Sequence, residues 1–122
     1  MASRIDQLLA DARSRLDRVP AESLADEVAA GAVVVDIRPV ELRERDGEMP
    51  GALVIDRNVL LWRLDPTSES RSVDIGPEQR VILFCDESYA SSLAAIEVQK
   101  LGLARATDLI GGYQAWLALQ RS

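Results

Sequence analysis

Along the chain, short unbroken apolar runs alternate with stretches in which apolar residues recur every three or four positions. Ile5, Leu8, Leu9, Ala12 and Leu16 follow the second pattern, with Arg and Asp between them, and predict an amphipathic N-terminal helix. Pro20 suits a first helical turn, Leu24 and Val28 share a face, and Gly31 is a natural stop, so a second helix is predicted from Pro20 to Ala30. Ala32 to Ile37 (AVVVDI) is continuous and β-branched, as in a strand buried on both faces. Pro39 to Arg45 reads as a helical turn, Gly47 to Gly51 as a turn, and Ala52 to Asp56 as a second strand. Asn58 is placed to cap a short helix ending at Leu64. Asp65 to Gln79 is polar, contains two prolines, and reads as a loop. A third strand, Arg80 to Phe84, ends on Cys85, and a nearly all-apolar helix from Ala90 to Leu101 follows, stopped by Gly102. Thr107 to Ile110 is a last strand, Gly111 and Gly112 break it, and Tyr113 to Leu119 closes the chain as a helix.

Strands alternating with helices imply an α/β fold with a mostly parallel central sheet and helices on both faces. Ligands of such sheets bind beyond the carboxyl ends of the strands. The third strand delivers Cys85 to that edge, and the first delivers Asp36 and Arg38.

The 122 residues suffice for one core, and with aromatics at 4% that core must be built from Leu, Ile, Val and Ala. A net charge of −6 argues against nucleic acid or an anionic membrane as partner. No apolar stretch approaches the length of a membrane span, and MASRIDQLLADARSR has no signal-peptide core, so the expected location is cytoplasmic. A single cysteine forms no intramolecular disulfide. The absence of histidine says more. It excludes Ser-His-Asp and Cys-His catalysis and, with only one cysteine, argues against a zinc site.

Cys85 therefore has two readings. It is a small apolar filler at the end of a core strand, or a nucleophile whose anion is stabilised without imidazole. The second reading draws on backbone N–H groups in the turn Asp86 to Ser91 and on the positive end of the following helix. Small residues at Ser88, Ala90, Ser91 and Ser92 would let that loop curl closely around the sulfur. Asp36 either caps the next turn or pins loop backbone. Arg38 is either a surface charge or an anion-orienting group over Cys85. Tyr89 shields the sulfur or hydrogen-bonds near it. Arg57 and Arg63 flank the short helix, where one of them could face the pocket, though solvation is the favoured reading for each; Trp62 and Trp116 read as packing residues covering the sheet.

Four segments in order resemble the rhodanese-like domain, the single-domain sulfurtransferase family. VVVDIR (Val33 to Arg38) is similar to its first-strand motif, EMPGA (Glu48 to Ala52) to its Pro-Gly-Ala turn, VILFCDESYASSLAA to its strand and active-site loop, and LIGGYQAW (Leu109 to Trp116) to its closing signature. The resemblance implies a rhodanese-like domain over residues 20–122 preceded by the N-terminal helix, residues 1–19. It further implies Cys85 as sulfur carrier, with Asp86, Glu87, Ser88, Tyr89, Ala90 and Ser91 forming the substrate cradle; the reading of the strand exit adds Arg38 as a substrate-binding residue and Asp36 as its structural support. The chain departs from the family pattern in places. Ala90 stands where many active members carry Arg, Ser88 where Gly is usual, Leu42 where some thiosulfate-using members carry a cation, and Glu48 where the turn has histidine. At ~7 Å and an effective dielectric of roughly 20 to 40, each of Asp86 and Glu87 would oppose a thiolate by about 1–2 kcal/mol. The helix terminus returns about 0.3–2 kcal/mol, so the two effects nearly cancel for the thiolate, while the same acids repel an anionic donor and thiosulfate is expected to be a weak one.

The resulting expectation is a sulfurtransferase passing sulfane sulfur from a small donor, through a Cys85 persulfide, to cyanide, a small thiol or a protein thiol, with no metal or organic cofactor. A rhodanese-like module that binds or regulates a partner without turnover is the alternative, with helix Ile5 to Leu16 as its docking surface. A phosphatase or arsenate reductase fits less well, because the loop offers no Arg to an oxyanion.

Overall fold

A computed structural model describes residues 2–122. Its centre is a four-stranded, wholly parallel sheet in the order β2-β1-β3-β4, formed by β1 (Val33–Asp36), β2 (Leu53–Val54), β3 (Val81–Phe84) and β4 (Ala106–Asp108). The predicted strands are all present but shorter, β2 most of all, as suits a strand at the sheet edge. The helices are α1 (Arg4–Ser14), α2 (Leu24–Ala29), α3 (Val40–Asp46), α4 (Leu60–Leu64), α5 (Tyr89–Gln99) and α6 (Gly112–Gln120). A 3-10 turn leads into each of α2 and α4. Asp56, not Asn58, caps the second of these turns: its carboxylate accepts the Asn58 N–H at 2.7 Å. Segment 65–80 has neither helix nor strand.

Successive side chains of a strand point to opposite faces, and the two buried clusters follow that alternation. Val81, Leu83 and Cys85 join Val35 and Ile37 in one cluster with Leu60 and Leu64 of α4 and Ala94, Ala95 and Val98 of α5. Ile82 and Phe84 join Val34 in the other, with Leu24 of α2, Leu109 and Tyr113 of α6. Helix α5 is apolar nearly all round because it is covered twice, by the sheet and by α1, whose Leu9 and Ala12 are buried. The N-terminal segment is also tied to β4 through backbone: Val19 N–H donates to Asp108 C=O at 3.0 Å and Ile110 N–H to Val19 C=O at 2.8 Å. The expected docking helix thus already spends its Leu9–Ala12 face within the molecule. Trp116 packs against Tyr113, with centroids 5.4 Å apart, whereas Trp62 is 62% exposed and covers nothing, contrary to its predicted packing role.

Candidate active site

Strand pairing sets the level at which residues leave the sheet. β1 and β3 run in register from Val33↔Val81 to Asp36↔Phe84, and Ile37 N–H donates to Phe84 C=O at 3.0 Å. Ile37 and Cys85 therefore emerge side by side, on the α5 face, at the carboxyl edge. Cys85 keeps 9% exposure, at the floor of a cavity of about 380 Å³ walled by Ile37, Pro39, Leu42, Tyr89 and Ala90. The walls are mostly apolar. Among the described residues lining it, Arg57 alone is cationic, and its Nη2 donates to Glu97 at 2.6 Å.

The first N–H groups of a helix have no intrahelical acceptor. At the start of α5, Ser91 N–H points to Cys85 Sγ at 3.4 Å, and Ser91 Oγ lies 3.4 Å from the same sulfur. Of the expected cradle, Ser91 makes these contacts in this conformation. Asp86, Glu87, Tyr89 and Ala90 line the cavity, while Ser88 is buried and shapes the loop from behind.

Ser88 has φ 71°, a left-handed conformation that costs an L-residue roughly 1–2 kcal/mol and that glycine adopts freely. The side chain repays part of that cost. Ser88 Oγ accepts the Gly111 N–H at 3.2 Å and lies 3.4 Å from Arg13 Nη2, which also donates to Ser88 C=O at 2.9 Å. Arg13 Nε donates to Ser92 Oγ at 3.1 Å, and its guanidinium carbon sits 5.6 Å from the Tyr89 ring centroid. An arginine of α1 thus braces the loop that lacks an arginine of its own.

Beneath Ser91 lies Asp108, fully buried at the end of β4. Its Oδ2 accepts from Ser91 Oγ at 2.9 Å and Ser92 Oγ at 2.7 Å, and Arg18 holds both carboxylate oxygens, at 2.8 and 3.3 Å.

The loop acids behave differently from each other. Asp86 Oδ1 accepts from Gln114 Nε2 at 2.8 Å and lies 3.8 Å from Arg45, so this carboxylate is anchored toward α6; Glu87 is exposed. Gln114 Nε2 also bonds Asp46 Oδ2 at 2.9 Å. Hydrogen bonds from Arg45 and then Gln114 hold the Asp46 carboxyl below its ordinary value of 3.8, and Asp46 in turn raises Arg45. The two glycines at the start of α6, Gly111 as its cap and Gly112 as its first residue, serve close approach. Gly112 has φ 61°, and a Cβ there would lie 2.6 Å from Cys85 O and 2.7 Å from Asp86 O. Those carbonyls accept the N–H groups of Tyr113 and Gln114, fastening the loop to α6.

Arg38 lies away from the position expected of a substrate-binding residue. It does not stand over Cys85 and does not line that cavity. Residues 34, 36 and 38 share the parity that faces α6, opposite to Cys85. Its guanidinium is buried, grips Asp36 through Nε and Nη2 at 2.8–3.2 Å, donates to Gly47 C=O at 2.9 Å, and stacks 3.7 Å from the Tyr113 ring centroid. Asp36 Oδ1 also accepts the Arg38 N–H at 2.9 Å, closing the turn as its capping reading expects. Among the described residues, no cluster of three or more His, Cys, Asp or Glu could hold a metal ion, and no helix is long and apolar enough to cross a membrane.

A parallel α/β sheet with a cysteine at the carboxyl end of a central strand, seated at a helix N-terminus, defines a class of cysteine-loop domains. Within that class the chain belongs to the rhodanese-like domain family, whose family model matches residues 20–119. A comparison with curated proteins found no match. Among solved structures, a Rhodopseudomonas palustris protein of unknown function and possible tyrosine phosphatase is 28% identical, with 98% of this chain and 93% of that one covered and a TM-score of 0.83. The human single-domain sulfurtransferase is 25% identical over 83% of this chain and 95% of that one, with a TM-score of 0.69. A thiosulfate sulfurtransferase from Pseudomonas aeruginosa is 28% identical over 86% of this chain and 18% of its own, with a TM-score of 0.65.

Arg13, Arg18, Asp108 and Gln114 are absent from the predicted site, and Arg57, expected to be solvated, lines it. The one sequence signal for Asp108 is an acid inside an otherwise apolar strand, since such a carboxylate must find a partner when buried.

Proposed function

We propose that the protein is a sulfurtransferase carrying sulfane sulfur on Cys85. The thiolate attacks the outer sulfur of a donor, the donor's sulfur–sulfur bond breaks, and its electron pair departs with the remainder of the donor as sulfite or a thiolate. Cys85 is left as a persulfide anion. A nucleophilic acceptor, cyanide or a small or protein thiol, then takes the outer sulfur, and the electron pair of the severed bond returns to Cys85. The observation that carries this reading is the Ser91 N–H directed at Sγ from the first turn of α5, at the base of an open cavity. Family membership and the sulfurtransferases among the structural relatives support it.

The possible phosphatase named for the Rhodopseudomonas relative suits this chain less well. Oxyanion chemistry needs converging cations, and here the loop has Ala90 and its acids, with Arg57 bound to Glu97. The same acids disfavour thiosulfate, while apolar walls favour an organic persulfide as donor.

Incubation with several sulfane donors, followed by intact mass measurement beside Cys85→Ser, tests the reading. The wild-type chain gains one sulfur atom and the variant gains none. Failure with every donor, despite a thiol that alkylates, overturns the enzyme reading in favour of a binding module.

A further inference from the structure

The mechanism above leaves unused a buried carboxylate two bonds of hydrogen-bonding away from the reacting sulfur. Ser91 has one hydroxyl proton and two lone pairs. With Cys85 as a thiol, the S–H donates to Ser91 Oγ at 3.4 Å and the hydroxyl proton goes to Asp108 Oδ2 at 2.9 Å. A sulfur anion has no proton to give and needs that same hydroxyl as a donor. The two arrangements exclude each other. Asp108 tolerates both, because on release of Ser91 it keeps the two nitrogens of Arg18 at 2.8 and 3.3 Å and lies 2.7 Å from Ser92 Oγ, whose one proton it shares with the Ser88 C=O at 2.9 Å.

We infer that Asp108, neutralised by Arg18, is a positioning residue that decides which partner the Ser91 hydroxyl serves. In the resting chain it draws the hydroxyl proton to itself and presents the Ser91 oxygen to the thiol, which favours the protonated cysteine. Once the sulfur is an anion, the hydroxyl turns to it by rotation about the Cβ–Oγ bond, with no proton leaving the serine. Resting cysteine is thereby kept less reactive, a thiol–thiolate balance at Sγ that stands whether or not the sulfurtransferase reading does.

Other charges also face Cys85. Asp86 and Glu87 stand in the loop, Arg57 on the turn before α4, and Tyr89 at the start of α5, with Arg13 behind Ser88 and Ser92. Helix α3 brings apolar Leu42, and α6 brings neutral Gln114 with Arg45 and Asp46 beyond it. Removing the Asp108 charge would by itself favour a thiolate, so a bare shift does not prove the hydroxyl's role. A double-mutant cycle does.

The test follows the rate of Cys85 alkylation by iodoacetamide against pH in the full chain, where this is the only cysteine. Wild type, Asp108→Asn, Ser91→Ala and the double variant are compared. Asp108→Asn lowers the midpoint by roughly one pH unit, because the new amide donates to Ser91 and frees its proton for sulfur. In the Ser91→Ala background the same change moves the midpoint by less than half as much. An absent or upward shift in Asp108→Asn, or an equal shift in both backgrounds, overturns the inference. Should Asp108→Asn not fold, Ser92→Ala takes its place. It leaves Ser91 as the one hydroxyl on Asp108 Oδ2 and raises the midpoint, and an unchanged or lower value overturns the inference. Failure of sulfur loading would leave these midpoints where they are, so the two readings fail separately.

Discussion

Replacing Arg38 by Met separates a structural arginine from a substrate-binding one. The side chain is fully buried against Asp36, which is 1% exposed, and the shortest contact between them is 2.8 Å. Removing one partner of a buried ion pair leaves the other charge without compensation, at a cost of about 3–5 kcal/mol. That is a large part of the ~5–15 kcal/mol by which a domain of this kind is stable. With a urea dependence of about 1.5–2 kcal/mol per molar, the unfolding midpoint falls by roughly 2 M. Trp116, packed on Tyr113 beneath the same guanidinium, reports the transition by fluorescence. Combining Arg38→Met with Asp36→Leu recovers part of the loss, since no orphaned charge remains, although the Arg38 N–H loses its acceptor. At temperatures where Arg38→Met is still folded, sulfur loading proceeds at close to the wild-type rate. An unchanged urea midpoint, together with a large rise in KM for an anionic donor, would refute the reasoning and return Arg38 to the substrate.

Other substitutions probe the loop. Gly112→Ala combines a left-handed backbone with a Cβ 2.6 Å from the Cys85 carbonyl, so it lowers stability by about 2–4 kcal/mol and slows Cys85 alkylation, as urea unfolding and thiol kinetics would record. Arg13→Met removes two charged hydrogen bonds from Ser88 and Ser92 and costs about 1–3 kcal/mol. Its signature is faster amide hydrogen exchange in residues 86–92 than in β1 or β3, and uniform protection would count against the brace. The Asp46 carboxyl is held below its ordinary value by Arg45 and Gln114, so its contribution to stability is complete above about pH 4–5 and is lost as pH falls through the depressed value. Asp46→Asn flattens that acid limb in urea titrations and lowers stability at neutral pH, where the ionised carboxylate makes its contribution, so that the two proteins converge in acid.

Strands β1 and β3 were legible because they are short unbroken apolar runs bounded by glycine or charge, and α5 because most of its residues are apolar, with Gly102 beyond. Cys85 was legible as a candidate because it ends such a strand. What local sequence cannot convey is register. That Arg38 faces α6 and Cys85 faces α5 follows only from the pairing Asp36↔Phe84. The Arg13–Ser88 and Arg18–Asp108 contacts join positions 75 and 90 residues apart, and an arginine on an amphipathic helix carries no mark distinguishing it from a solvated one. Ser88 looked like a departure from glycine, and its cost became intelligible only with Gly111 and Arg13 placed around its hydroxyl.

Single-turnover transfer follows the sulfur atom from donor to Cys85 to acceptor. The chain is charged with a sulfane donor, freed of it by gel filtration, weighed, and then given cyanide. The charged protein is one sulfur atom heavier and returns to its starting mass as one equivalent of thiocyanate forms, and Cys85→Ser shows no such change. Thiocyanate produced equally by the serine variant, or a charged chain whose extra sulfur cyanide cannot remove, would contradict transfer through Cys85.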